Sequence, residues 1–354
     1  MLESFPAFVI PLGTLVAALA VLIFSAGRLV GAAEEIGLSM GIPPFLMGIT
    51  VLAVGTSLPE LVTGLLALYE GNGEIVAGTV MGSNIANILL VLGFTAFYAR
   101  EMVIDWDLMH GDLPVLFGSV LMIVFVVYPV SAGDQANYRL VMETLGGENP
   151  SEISSRSVIT VVEGALLVFG YAVYLYYYAF KNPNVAAAEK SAVSAKARIR
   201  PKDLAWIVVG LLGVPLGATF TVGAAVEIAT LLDVGKGVIA ASMIALGTSL
   251  PELIVSISAV RKKNFEMALG NVTGSNIFNT FIVLGVPALV APLMGDKTNL
   301  GVGESSILFL QTPYYVATTI LFLVIVLDKR LTRTEGLVIL VAYGLFFSKL
   351  FSWF

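Results

Sequence analysis

Two glutamates, Glu60 and Glu252, lie in the middle of long apolar segments, where an ionised carboxylate is costly to bury. Such a group is tolerated when it has a positive partner, binds a proton or reaches water. No Lys or Arg lies at a comparable depth in any apolar segment of the chain. We therefore expect a bound cation or a proton to neutralise the two acids.

Neutral oxygen donors accompany each glutamate at helical spacing. Thr56 and Ser57 lie within about one turn of Glu60, and Ser83 and Asn87 share a helix face. Hydroxyl, amide and carboxylate oxygens are hard ligands that suit Na+ and Ca2+, and the chain has no cysteine that could bind a softer metal. The predicted side-chain ligands are Glu60, Glu252, Thr56, Ser57, Ser83, Asn87, Thr248, Ser249, Ser275 and Asn279.

This ligand pattern is duplicated. The heptapeptide GTSLPEL begins at residue 55 and again at residue 247, an offset of 192 residues. Three shorter motifs keep that offset: GSNIAN at 82–87 and GSNIFN at 274–279, LG at 92–93 and 284–285, and GAAEEI at 31–36 and GAAVEI at 223–228. A lone Ser or Thr in an apolar helix is usually a packing contact, but duplication of the polar positions favours cation binding. Thr79 and its counterpart Asn271 differ in residue type, so a packing role and a role beside the cation ligands both stay open for them.

A proline precedes each glutamate. Pro59 and Pro251 lack the N–H that would bond to the carbonyls of Gly55 and Gly247. A helix interrupted in this way is tolerated in a membrane where its free backbone oxygens line a cavity or bind an ion. The sequence thus predicts interrupted helices at both glutamates.

The composition identifies the bilayer as the main partner of the chain. Hydrophobic residues make up 57% of the 354 residues and charged residues 12%, about half the charged fraction of a soluble domain. The chain has no basic, aromatic-rich stretch typical of nucleic-acid binding. We expect no enzyme activity, because no nucleophile and base are evident and the single histidine, His110, is predicted to be a loop residue beside Asp107 and Asp112.

The fold predicted from these apolar segments is an all-α polytopic membrane protein with ten transmembrane helices. The spans lie near 6–27, 40–68, 74–98, 112–131, 157–179, 204–229, 236–260, 265–293, 306–327 and 333–352. The repeat offset contains five spans, so the two five-helix repeats have inverted topology, as in many secondary transporters. The predicted organisation is a first repeat at 1–180, a cytoplasmic linker at 181–203 and a second repeat at 204–354.

Basic residues predict the orientation. They cluster after spans five, seven and nine, which places these loops together on the cytoplasmic side. The clusters are Lys190, Lys196, Arg198, Arg200 and Lys202, then Arg261, Lys262 and Lys263, and finally Lys329, Arg330 and Arg333. Both termini and the acidic loop 132–156 are then extracytoplasmic. The start has no basic segment, so we expect a retained first span in a multi-pass protein of the plasma (cell inner) membrane.

The paired GTSLPE and GSNIxN motifs resemble the alpha repeats of the cation/Ca2+ exchanger superfamily, and within it the prokaryotic Na+/Ca2+ exchangers. The resemblance covers essentially all ten spans. It implies that helices two, three, seven and eight form the site, that Glu60 and Glu252 are shared acidic ligands, and that the carbonyls of Ala53 and Ala245 join them. It also implies that spans one and six slide across the rest.

The resemblance further implies exchange of Na+ for Ca2+ as transported ions, with no cofactor and no obligatory protein partner. Potassium-dependent relatives carry Asp at the position of Asn279, so Asn argues against K+ transport. A proton-coupled Ca2+ exchanger is the main alternative, since both glutamates could carry protons. A channel and a membrane enzyme are further alternatives.

Overall fold

The computed structural model describes residues 5–108, 111–127, 158–180, 199–232, 247–294, 300 and 310–350. The helices in these ranges are α1 (Phe5–Met40), α2 (Pro44–Met47), α3 (Ala53–Tyr69), α4 (Glu74–Ala86), α5 (Gly93–Ala99), α6 (Asp112–Val127), α7 (Val161–Phe180), α8 (Pro201–Leu231), α9 (Leu250–Arg261), α10 (Phe265–Phe278), α11 (Gly285–Val290), α12 (Thr312–Val326) and α13 (Arg333–Leu350). Each of the ten predicted spans overlaps at least one of these helices.

The outer surface of the helices is apolar, as expected when lipid is the solvent. Ile10, Val16, Leu212 and Val341 all expose more than half of their area. Six of the described helical segments are long and apolar enough to cross a bilayer. The chain is therefore a helical membrane protein.

α1 and α8 form the most extensive helix pair among the described elements. α1 carries the first GAA motif and α8 the second, so the two helices are repeat counterparts. Their close contacts pair Leu22 with Gly217, Ser25 with Gly213 and Leu29 with Gly210. Along these pairs the residue number rises in α1 and falls in α8, so the two counterparts run antiparallel. Small residues let their backbones approach.

Three π-helical segments lie within the helices near the glutamates. They are Gly48–Leu52 between α2 and α3, Asn87–Leu92 between α4 and α5, and Asn279–Val283 between α10 and α11. The last two begin 192 residues apart, so both copies of the repeat change helix type at the same asparagine. Such π turns are frequent at functional sites because they redirect side chains and carbonyls.

Several sequence-based boundaries need correction. α1 continues to Met40 rather than ending near residue 27, which makes it about 54 Å long. α8 begins at Pro201, so the last residues of the predicted 181–203 linker are helical. α3 runs through Pro59 without a break, and the expected interruption there is wrong. In the second copy, Pro251 does lie in the first turn of α9.

The prediction of a purely helical protein also needs correction, because Glu101–Val103 (β1) and Arg330–Thr332 (β2) form an antiparallel ladder. β1 continues into a segment whose backbone at Asp105 and Trp106 lies beside the Glu266 carboxylate of α10. The basic residues 261–263 immediately precede α10, so this contact places them on the same side as the ladder.

α1 extends to that side as well. Its Glu35 forms a 2.8 Å ion pair with Arg200 at the start of α8, and Glu34 accepts a 3.5 Å hydrogen bond from Asn264. The described basic clusters therefore share one face of the protein, as the charge pattern predicts.

The contact between α1 and α8 can be tested at Gly217. A Cβ added there would lie 2.8 Å from the backbone of Leu22, which no rotamer change can relieve. We expect Gly217→Ala to lower the melting temperature in detergent, because overpacking costs about 1–3 kcal/mol, more than the gain of about 1 kcal/mol from replacing a helical glycine. Gly27→Ala on α1 is the matched control, since no described atom outside the adjacent backbone of its own helix lies within 4 Å of its added Cβ. Equal melting temperatures for the two variants would contradict this packing argument.

Candidate cation-binding site

The two glutamates are carried by counterpart helices that meet inside the protein. Glu60 lies in α3 and Glu252 in the first turn of α9, and their side chains are 3% and 0% exposed. Each carboxylate lies within the electrostatic field of the other. The structure thus brings together the two acids that the sequence separates by 192 residues.

A serine of the first motif bonds directly to the glutamate of the second. Ser57 Oγ donates a 3.1 Å hydrogen bond to Glu252 Oε1. Its counterpart Ser249 has a buried Oγ without a hydrogen-bond partner among the described residues. The two halves therefore share one polar centre, but they do not contribute equally to it.

The threonine of each motif meets the serine of the other repeat. Thr56 Oγ1 lies 3.4 Å from Ser275 Oγ, and Ser83 Oγ lies 3.1 Å from Thr248 Oγ1. Thr56 and Thr248 are counterparts at the repeat offset of 192 residues, and so are Ser83 and Ser275. The internal repeat therefore converts each of these two contacts into the other. Thr56 also donates to the carbonyl of Ala53 at 3.3 Å, which places that carbonyl beside the hydroxyl cluster.

Several buried polar atoms in this region have no hydrogen-bond partner within the described part of the chain. They are Oε1 and Oε2 of Glu60, Oε2 of Glu252, Oγ of Ser249, and both side-chain polar atoms of Asn87 and Asn279. Leaving a buried polar group unpaired is unfavourable, and more so for a charged one. These oxygens suit a cation, which they could coordinate together.

The described residues offer no positive side chain to this centre. The buried charged residues among them are all acidic: Glu60, Asp112, Asp203 and Glu252. The cations in the ion pairs of the described region are exposed and lie at the ends of helices and strands, as Arg200 does beside the buried Asp203. Asp112 lies in a separate environment, where the indole Nε1 of Trp106 donates to it at 2.8 Å.

Most of the sequence-predicted ligands thus lie in or beside one buried cluster. The carbonyl of Ala245 and the imidazole of His110 lie outside the described residues. Of the two positions left open, Asn271 accepts from Thr56 at 3.4 Å and donates to Ser256 at 3.0 Å, whereas Thr79 is only half-buried. Asn271 therefore supports the cluster from behind.

Sequence reasoning missed Asn84 and Asn276, although both lie within the duplicated GSNI motif. They are completely buried, and the side-chain amide of each donates to the main-chain carbonyl of the other, at 3.3 and 3.2 Å. Their place directly after Ser83 and Ser275 in a repeated motif was the available signal.

Comparison with known proteins gives a consistent result. A family model described as sodium/calcium exchanger protein matches residues 10–180 and 202–351. The chain is 32% identical over 288 residues to the inner membrane protein YrbG of Escherichia coli, covering 78% of this chain and 79% of that protein. It is 30% identical over 341 residues to the sodium/calcium exchanger MaX1 of Methanosarcina acetivorans, covering 91% and 93% of the two chains.

A solved structure of the sodium-calcium exchanger NCX_Mj superposes with a TM-score of 0.70 at 26% identity. The match covers 96% of this chain and 98% of that one. The similarity therefore extends over the whole helical fold rather than over the duplicated motifs alone.

Cation binding can be tested by thermal stability. We expect Ca2+ to raise the melting temperature of the purified chain, because an ion that binds only the folded state stabilises it. Replacing Glu60 by Gln removes one of two buried carboxylates, so the Ca2+-induced shift should disappear. Glu70→Gln, at the exposed end of the same helix, is the matched control and should keep the shift. A full shift in Glu60→Gln would contradict the site.

Proposed function

The chain belongs to the sodium/calcium exchanger protein family, and from this premise we propose that it exchanges Na+ for Ca2+ across the membrane at the site built around Glu60 and Glu252. Membership makes it a cation/Ca2+ antiporter. The choice of Na+ as the coupling ion is our proposal. The observation that carries it is a pair of buried carboxylates among neutral oxygens without a described positive side chain.

The charge of the site explains antiport. Two ionised glutamates contribute about −2, which one Ca2+ neutralises, and several Na+ ions sharing the same oxygens would neutralise it as well. Because Ca2+ and the Na+ ions both need Glu60 and Glu252, they cannot be bound at the same time. With both carboxylates bare, the site is expected to change sides reluctantly, which suppresses leak.

Alternating access would follow from ten spans in two inverted repeats, 1–180 and 204–354, joined by the linker at 181–203. The antiparallel packing of the counterparts α1 and α8 supports the inversion, as do the exchanged contacts of Thr56 and Ser83. In this arrangement α1 and α8 move across the helices that carry the ligands. The carbonyl of Ala245 would complete the ligand set opposite that of Ala53.

The proposed orientation puts the β ladder and the basic helix ends in the cytoplasm and both termini outside. Clusters such as Arg261, Lys262 and Lys263 support it, because cytoplasmic loops carry an excess of Lys and Arg. The plasma (cell inner) membrane is the proposed location, in keeping with the name of the inner membrane relative YrbG.

We also propose that transport is independent of K+. Asn87 and Asn279 occupy equivalent positions at the two π-helical turns, and both are amides. Glu60 and Glu252 are then the acids of the site, and their charge is already balanced by one Ca2+.

The coupling ion is identified by imposing gradients one at a time on proteoliposomes. We expect 45Ca2+ uptake when the vesicles are loaded with Na+, and only background uptake with an outward H+ or K+ gradient. Added K+ should not change the Na+-driven rate. Uptake driven by H+ without Na+ would instead support the proton-coupled alternative.

The same assay tests the two acids. Glu60→Gln and Glu252→Gln should each lower Na+-driven 45Ca2+ uptake to background while the protein stays folded, because the remaining charge no longer matches Ca2+. Glu70→Gln serves again as the control. Retained uptake in either site variant would refute the assignment.

Voltage dependence tests the stoichiometry. The stoichiometry that the family resemblance implies is three Na+ for one Ca2+, which moves one net positive charge per cycle. A charge crossing the membrane is worth about 2.3 kcal/mol per 100 mV. Making the interior of Na+-loaded vesicles about 60 mV more positive should therefore raise the steady-state 45Ca2+ gradient about tenfold. A gradient that does not respond to the potential would indicate electroneutral exchange.

A further inference from the structure

The buried amides Asn84 and Asn276 form a reciprocal pair across the repeat. The Nδ2 of Asn84 donates to the carbonyl of Asn276 at 3.3 Å, and the Nδ2 of Asn276 donates to the carbonyl of Asn84 at 3.2 Å. Both residues are 0% exposed. The pair therefore links the two helices that carry the serine and asparagine ligands of the proposed site.

The two carbonyls lie where each helix changes from α to π. The backbone N–H of Asn87 is directed at both Ser83 O and Asn84 O, and that of Asn279 at both Ser275 O and Asn276 O. A shared N–H leaves each asparagine carbonyl able to accept another donor. The side-chain amide of the asparagine in the other repeat is this additional donor. In each repeat, the accepting carbonyl lies in the sequence between a proposed serine ligand and a proposed asparagine ligand.

The repeat is not symmetric around this pair. The Nδ2 of Asn84 also contacts Thr280 Oγ1 at 3.1 Å and the Tyr315 hydroxyl at 3.0 Å, and these two oxygens lie 3.3 Å apart. The positions 192 residues earlier are Ile88 and Ile123, which are buried and apolar. Asn84 is therefore held by two hydroxyls that have no counterpart around Asn276.

We propose that Asn84 and Asn276 are positioning residues that set the spacing of the cation ligands on α4 and α10, and that Tyr315 fixes this spacing through Asn84. The proposal rests on the proposed function, since it concerns the affinity of that site for a divalent cation. None of the three side chains needs to touch the ion. Their hydrogen bonds hold Ser83 and Ser275, each one residue away, at the distance that a shared ion requires.

Tyr315→Phe is the most conservative test. It removes the hydroxyl on Asn84 and keeps the buried ring. We expect the Ca2+ concentration for half-maximal uptake to rise about three- to tenfold, the range for losing one neutral hydrogen bond. The maximal rate of uptake should change by less than about twofold, because all of the proposed cation ligands remain. The control Tyr314→Phe makes the same chemical change on the same helix, where the ring packs on Phe346 at 5.1 Å, and should leave the Ca2+ dependence unaltered.

A double-variant cycle shows whether Tyr315 acts through Asn84. In an Asn84→Ser background, Tyr315→Phe should cause no further rise in the half-maximal Ca2+ concentration, because the amide it holds is gone. If Asn84→Ser does not fold, Thr280→Val takes its place, since Thr280 contacts the same amide. Its effect and that of Tyr315→Phe should then combine non-additively, and strict additivity would overturn the link through Asn84.

Equilibrium dialysis of 45Ca2+ against the purified, detergent-solubilised chain separates this proposal from the antiport proposal. A weaker Ca2+ affinity in Tyr315→Phe at an unchanged melting temperature supports the positioning role, whichever gradient drives the wild type. An unchanged affinity in the folded variant overturns it. A wild type that binds Ca2+ but exchanges it under no gradient refutes the antiport function, while the affinity comparison still decides the role of the amides.

Discussion

The structure depends on one constraint, which is that two carboxylates are buried with no positive side chain beside them among the described residues. An ionised acid in such a place costs several kcal/mol unless something of opposite charge accompanies it. Ser57 offsets part of this cost for Glu252 with one hydrogen bond, while both oxygens of Glu60 have no partner among the described residues. The amides and hydroxyls around them are neutral, so they can surround a cation without replacing it. In the proposed function, such a site is stable when a cation is bound. An exchanger must couple this binding to its conformational change.

The duplication accounts for the symmetry of the site. The contacts that depart from this symmetry fit the proposed alternating access. The contacts of Thr56 with Ser275 and of Ser83 with Thr248 exchange under the repeat, as do the two amide bonds between Asn84 and Asn276. The bond from Ser57 to Glu252 has no counterpart from Ser249 to Glu60 among the described residues. Inverted repeats in identical conformations would present the site equally to both sides of the membrane. A carrier open to one side at a time needs its halves to differ.

The sequence predicted what depends on residue type and number, and it failed where tertiary packing decides. Buried glutamates, duplicated hydroxyls and the common side of the basic clusters follow from charge, spacing and the odd number of spans. The length of α1 was missed because residues 28–40 include charged and polar side chains, and their helix is held by contacts with Asn264 and Arg200. The uninterrupted path of α3 through Pro59 shows that a missing N–H permits a break without requiring one. The bonds between Asn84 and Asn276 join residues far apart in sequence, which no local pattern reports.

Helix packing is compatible with the proposed movement of α1 and α8 across the helices that carry the proposed ligands. Water cannot drive helices together inside a bilayer, so close backbone contact must do so. Gly270 and Gly274 of α10 lie directly against the backbone of Phe45 and Ile49, which fixes the ligand-bearing helix on the segment that leads into α3. α1 and α8 instead make their most extensive contacts with each other. A pair packed mainly on itself can shift against its neighbours without losing its own interface. The tight glycine contacts of α10 lie within the core and would not be affected by such a shift, whereas Gly55 of α3 meets the end of the Leu211 side chain of α8, a flexible contact that would have to adjust.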